Sequence, residues 1–172
     1  KRQGGSAILK GPASHIEILK ILRDEVCVKR GKKIIYRTWS FGPMSFHENP
    51  DYYLKVTNAI EPDPNLIFSI KHQKGDFHQI TVFNPTLMIG KHRQIIEVQS
   101  QREAYGKGAH PYYIGSGVLD GWEEYAWMMK PGAPKGLRDV VANPLCAGVW
   151  TWSRGGGWEG PFIKNGLWCE LN

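Results

Sequence analysis

The stretch Leu66-Ile67-Phe68-Ser69-Ile70-Lys71-His72-Gln73-Lys74-Gly75-Asp76-Phe77 decides the fold. It opens as a short, unbroken apolar run rich in β-branched and aromatic residues. Such a run marks a strand buried on both faces, as strands of parallel sheets are. It then ends abruptly in ionisable residues, Lys71 and Asp76. The pattern recurs at Gln94-Ile95-Ile96-Glu97-Val98-Gln99, which runs on to Arg102 and Glu103. Two neighbouring parallel strands would thus each deliver a carboxylate, with cations beside it, to their carboxyl ends. In α/β barrels that end carries the chemistry, and a pair of carboxylates there suits cleavage of a glycosidic bond.

Outward from these strands the chain alternates helix and strand. Residues 1–13 are polar and Gly-rich and read as an arm or loop, leaving 14–172 as the domain. Ser14 with Glu17 has capping-box spacing, and Ile16, Leu19, Leu22 and Val26 follow at helical spacing. Ile34 to Ser40 reads as a strand. Asn49-Pro50-Asp51 opens a second helix, which Pro62 and Pro64 stop. After the third strand, Gln94 to Gln99, a long loop spans 104–118. A helix is expected over Trp122–Met129 with Asp120 as its cap, and a short helical stretch near Leu137–Val141. Ala147 to Trp152 is the fourth strand. The expected fold class is therefore α/β: four parallel strands with helices, half of a (β/α)8 TIM barrel. A complete barrel takes about 250 residues, against 172 here. Open parallel edges are rarely left bare, so a second copy of the chain is expected to close them, as a homo-oligomer (dimer or tetramer).

Bulk composition narrows the function classes. Hydrophobic residues are 41% and charged residues 22%, which supports a packed core and argues against disorder. The net charge of +6 is spread along the chain, apart from Lys29-Arg30-Gly31-Lys32-Lys33. That cluster has no interleaved aromatics and reads as a solvated helix end, not a nucleic-acid surface. No apolar run approaches the ~20 residues of a membrane span. Cys27, Cys146 and Cys169 are sparse and widely spaced, which excludes a zinc motif and favours a reducing, cytoplasmic setting. His72, His78, His92 and His110 lack metal-ligand spacing. No metal or cofactor is expected, since hydrolysis by paired carboxylates needs neither.

These motifs resemble glycoside hydrolase family 67, the α-glucuronidases that remove glucuronic acid from xylan side chains. Tyr36-Arg37-Thr38-Trp39 is similar to the family's Arg-Ala-Phe strand motif. Ile70-Lys71-His72-Gln73-Lys74-Gly75-Asp76-Phe77 resembles its Ile-Lys-Asn-Gly-Pro-Ile-Asp-Phe motif. Glu97-Val98-Gln99-Ser100-Gln101-Arg102-Glu103, with Tyr105 close by, resembles its Glu-Leu-Gln-Ile-Thr-Gln-Glu-Tyr motif. The likeness spans most of this chain and the C-terminal half of the family's catalytic barrel. It implies that Asp76 and Glu103 are the catalytic pair that activates water. It implies that Arg37 and Lys71 bind the uronate carboxylate, a role that suits the forked guanidinium. Glu97, Gln99, Trp39, Tyr105, Trp152 and Arg154 complete the candidate substrate contacts.

Three departures bear on mechanism. The family's general acid and a further carboxylate-binding lysine lie upstream of the matched residues. The Arg-Glu-Pro that follows the family's Asp-Phe is replaced by Ile80-Thr81-Val82-Phe83-Asn84-Pro85, and Ala104 separates Glu103 from Tyr105. Glu97, Glu48 and Glu159 are candidate acids, although Glu97 reads better as the buried partner of Arg37 or Lys71. The implied activity is hydrolysis of plant cell-wall hemicellulose, uronate-bearing chains among its substrates. A carbohydrate-binding protein that has lost the acid, or an inactive fragment of a longer glycosidase, are the alternatives.

Overall fold

The computed structural model describes residues 11–40, 45–75, 77, 81–99 and 115–152, with Gln99, Thr151 and Trp152 described by their backbone. Its centre is a four-stranded sheet in the order β1-β2-β3-β4, built from Ile34–Arg37, Leu66–Lys71, Gln94–Gln99 and Cys146–Trp152. Every pairing is parallel. The continuous apolar runs are thus parallel strands, and β2 is buried along its whole length. The α/β class and the parallel four-stranded sheet agree with the sequence reading.

Helices pack on one face of the sheet. Helix α1 (Pro12–Leu22) continues into a π-helical segment, Arg23–Val28, and α2 spans Pro50–Thr57. The face they cover carries Tyr36, Phe68, Ile70, Ile96 and Val98, which pack with Leu19, Phe46, Tyr53, Val56 and Ile60 into a single core. Phe68 is its hub. Its ring meets Tyr36, Phe46, Tyr53 and His92 edge-on, at centroid distances of 6.1, 6.0, 5.9 and 5.3 Å. Edge-to-face aromatic pairs of this kind add to the burial energy of each ring.

The local start signals differ in outcome. Asn49 caps α2 as expected, its side chain accepting the Tyr52 N–H at 2.9 Å with Pro50 in the first turn. For α1 the Ser14 capping box is not used. The helix begins earlier, behind Gly11 and with Pro12 in its first turn, because the fixed φ of proline is already helical. β1 stops at Arg37, short of the expected Ser40. The region expected to form a helix from Trp122 instead holds a 3-10 turn, Glu123–Met128, and a short α3 (Gly115–Asp120) precedes it, beginning within the expected loop. Asp120 closes α3 instead of capping the next helix, and it pairs with Arg138 on a second 3-10 turn, Leu137–Asp139. The break has a steric cause. The Trp122 ring lies so close on Gly117 that a Cβ there would approach it to 2.0 Å, so the chain must fold back after α3.

One irregularity places a side chain. β3 and β4 pair Gln94 with Cys146 but Ile95 with Gly148, so Ala147 is an extra residue and Gly148 takes φ 141°. Such a bulge reverses which face the following residues occupy. Cys146 packs toward the core, whereas Trp150 comes into register with Glu97 on the opposite face.

Candidate functional site

The second face of the sheet follows from strict alternation. Arg37 is in register with Ser69, and Lys71 with Glu97 and through it with Trp150. Ile35, Arg37, Ile67, Ser69, Lys71, Ile95, Glu97 and Trp150 therefore share the face turned away from the helices. Arg37, Lys71 and Glu97 thus lie together on this face, toward the carboxyl ends of β1, β2 and β3.

Glu97 is the anchor. Its side chain is 0% exposed, and the Arg37 guanidinium grips it with both arms: Nε donates to Oε2 and a terminal nitrogen to Oε1, each at 2.7 Å. A buried carboxylate is tolerated only when paired in this way. Of the two roles open to Glu97 in the sequence, the structure places it in the ion pair. Arg37 itself keeps 38% of its side chain exposed.

Lys71 is 2% exposed. Its ammonium sits 3.6 Å from the ring centre of Trp39 and 4.3 Å from that of Phe77. Both rings present the electron-rich faces that attract a cation. Beyond Phe77 the His72 imidazole stacks nearly parallel, at 5.5 Å and 17°. Trp39, Lys71, Phe77 and His72 thus form a chain of contacts at the end of β2. Burial and the neighbouring Lys71 charge push the His72 pKa down to about 3, so the ring is neutral at ordinary pH. Trp150 reaches across β3, its Nε1–H donating to Ser69 Oγ at 3.0 Å.

The loops after β1 and β2 are tied together beneath this cluster. His47 is buried, with Nδ1 3.4 Å from Thr38 Oγ1 and Nε2 3.3 Å from the Gln73 carbonyl. Its own carbonyl accepts from Asn84 Nδ2 at 3.0 Å and from Thr86 Oγ1 at 2.9 Å. Trp39 meets the His47 ring edge-on at 5.0 Å. His47 and Asn84 organise the rim although no sequence motif marks them. The single local hint was polar residues clustered immediately before the α2 cap, where a loop with buried backbone must find partners. His92 hydrogen-bonds the Thr57 and Ile60 carbonyls through Nε2, at 2.9 and 3.1 Å, and belongs to the core side.

Arg37, Lys71, Glu97 and Trp39 are therefore gathered into one cluster. Asp76, Glu103, Tyr105 and Arg154 lie outside the described residues, as does Glu159. The backbones of Gln99 and Trp152 are placed at the ends of β3 and β4. A cavity of about 790 Å³ lies elsewhere, bordered by α2, the loop after β2 and the 3-10 turns, with Leu54, Phe83, Met88, Ile89 and Met129 on its walls. It contains none of the charged cluster. Among the described residues, no group of three His, Cys, Asp or Glu side chains is placed to hold a metal ion. No helix among them is long and apolar enough to cross a membrane.

No protein-family model matches the chain, and no curated protein matches it significantly.

Proposed function

We propose that this chain is half of the catalytic barrel of a glycoside hydrolase of the family 67 type, acting on uronate-bearing hemicellulose. The observation that carries this reading is the convergence of Arg37, Lys71 and the buried Glu97 at the carboxyl ends of three adjacent parallel strands. A structural role alone does not call for charge on a buried sheet face, because well-packed apolar residues are as stable there or more so. The chain then carries Asp76 five residues after the end of β2 and Glu103 four residues after the end of β3.

In this reading Asp76 and Glu103 take the proton of the water that attacks the anomeric carbon, and the departing glycosidic oxygen takes its proton from the Asp76 or Glu103 carboxyl of a second copy. Inversion needs two carboxyl groups about 6.5–9.5 Å apart on opposite sides of the sugar. Arg37, whose side chain is partly exposed, receives the uronate carboxylate, and Glu97 fixes the guanidinium for that contact. A second copy closes the barrel. Around a two-fold axis along the barrel, β4 of each copy pairs with β1 of the other and yields eight parallel strands. The unpaired thiols of Cys27 and Cys146 accord with a cytoplasmic protein.

A panel of aryl glycosides (α-glucuronide, xyloside and arabinofuranoside) tests the activity. The α-glucuronide should be turned over, and Asp76→Asn and Glu103→Gln should each lower kcat about 10²–10⁴-fold, the usual contribution of acid–base catalysis. Full rate in both variants contradicts the assignment. Sedimentation tests the assembly, with a dimer of the 19.5 kDa chain expected and a monomer contradicting closure by a second copy.

A further inference from the structure

Trp39 stands in the sequence as a candidate substrate contact, but its position assigns it different work. One ring face lies over the Lys71 ammonium at 3.6 Å. An edge-on contact with His47 holds the ring in place, and His47 is itself fixed by Thr38, Gln73, Asn84 and Thr86. Phe77 also meets the ammonium, at 4.3 Å, and stacks on His72. A lysine carries four rotatable bonds and a compact, strongly hydrated charge. Left to itself, such a side chain at a strand end points into water. Here it is 2% exposed, so the two rings replace part of the lost hydration and remove its freedom.

We propose that Trp39 is a positioning residue: with Phe77 it forms an aromatic cage that fixes the Lys71 ammonium beside Glu97, and through it sets the preference for an anionic sugar. Its part in sugar preference rests on the proposed hydrolase reading; the cage does not. The indole spends its face on the lysine, so that face is closed to a pyranose. Trp39 therefore acts on an anionic ligand through the charge it holds, and Arg37, 5.9 Å from the same ring, is oriented from the same wall.

The test uses the full chain labelled with ¹⁵N-lysine, observing the side-chain ammonium signals by NMR. The Lys71→Gln variant identifies the Lys71 signal by its loss. Ring currents from two faces should place its protons upfield of the other lysines. Trp39→Leu should move them toward the exposed lysines, and Trp39→Phe, which restores a ring, should return most of the shift. Dispersion of the amide spectrum verifies that each variant is folded. With aryl substrates, Trp39→Leu should lower the ratio of kcat/KM for glucuronide over xyloside about fivefold, through KM, as expected for one cation–π contact. Trp39→Phe should rescue it. A sugar platform would instead lower both substrates alike and leave the Lys71 signal in place, and that result overturns the proposal. If the Lys71 signal moves as expected but the parent protein cleaves no glycoside, the cage stands and the hydrolase reading falls.

Discussion

The two faces of one sheet follow opposite rules. Toward the helices, Phe68, Ile70, Ile96 and Val98 meet Tyr53, Phe46 and Leu19 in a neutral, aromatic-rich core. Away from them, the same strands carry Arg37, Lys71 and Glu97, with Ser69 bonded to Trp150. The first face is what any parallel α/β sheet needs. The second costs desolvation, and each charge is held by a dedicated device: a two-armed ion pair for Glu97 and an aromatic cage for Lys71. Stability resides in the first face, and specific chemistry is concentrated on the second.

Truncating the hub of the neutral face should have the largest effect. Phe68→Ala removes a fully buried ring and is expected to cost about 3–5 kcal/mol, read as a lower urea midpoint. If the loss is under about 1 kcal/mol, the helix-covered face is not the source of stability. Breaking the polar face should come next. Arg37→Met leaves Glu97 buried without its main partner and should cost about 3 kcal/mol. The double variant Arg37→Met/Glu97→Leu should regain most of that loss while abolishing response to any anionic sugar. A double variant as unstable as the single one would mean that the pair itself supplies stability, and would erase the distinction between the faces.

The effect that is smallest near neutral pH, and grows only with acid, is that of His72 at the rim, where the two faces meet. His72 has a folded pKa of about 3 against an ordinary 6.5. Between these values the unfolded chain binds a proton that the folded chain refuses. The contribution of His72 is therefore complete above pH 6.5 and is lost as pH falls toward 3. His15 and His92, whose pKa values burial also lowers, act in the same direction. His72→Phe should flatten the fall in stability across that window, measured as thermal midpoint against pH. An unchanged slope would show that His72 is solvated in the folded chain.

The comparison also explains what the sequence made legible. Runs such as Leu66–Ile70 announce parallel strands because burial on both faces leaves no polar alternation. The placement of Lys71 and Glu97 at strand ends was readable for the same reason, since period-two alternation puts register neighbours on one face. Three features were hidden because they depend on contacts distant in sequence. The bulge at Ala147 that turns Trp150 to the polar face needs the pairing of Cys146 with Gln94. The choice of Glu97 by Arg37 over other carboxylates needs the strand order. The break between α3 and the following 3-10 turn arises because Trp122 packs onto Gly117, a clash that helical periodicity cannot register. The start of α1 at Pro12, by contrast, was decided by a local signal that outweighed the Ser14–Glu17 box.

The most direct test of the central claim is a titration of glucuronate, with glucose as control, into the protein ¹⁵N-labelled at arginine and lysine. Saturable shifts at Arg37 Nε and Lys71 Nζ with glucuronate, and none with glucose, are the predicted result. Contradiction would come from silence at both groups, or from shifts confined to Lys74 and Lys130 beside the apolar cavity.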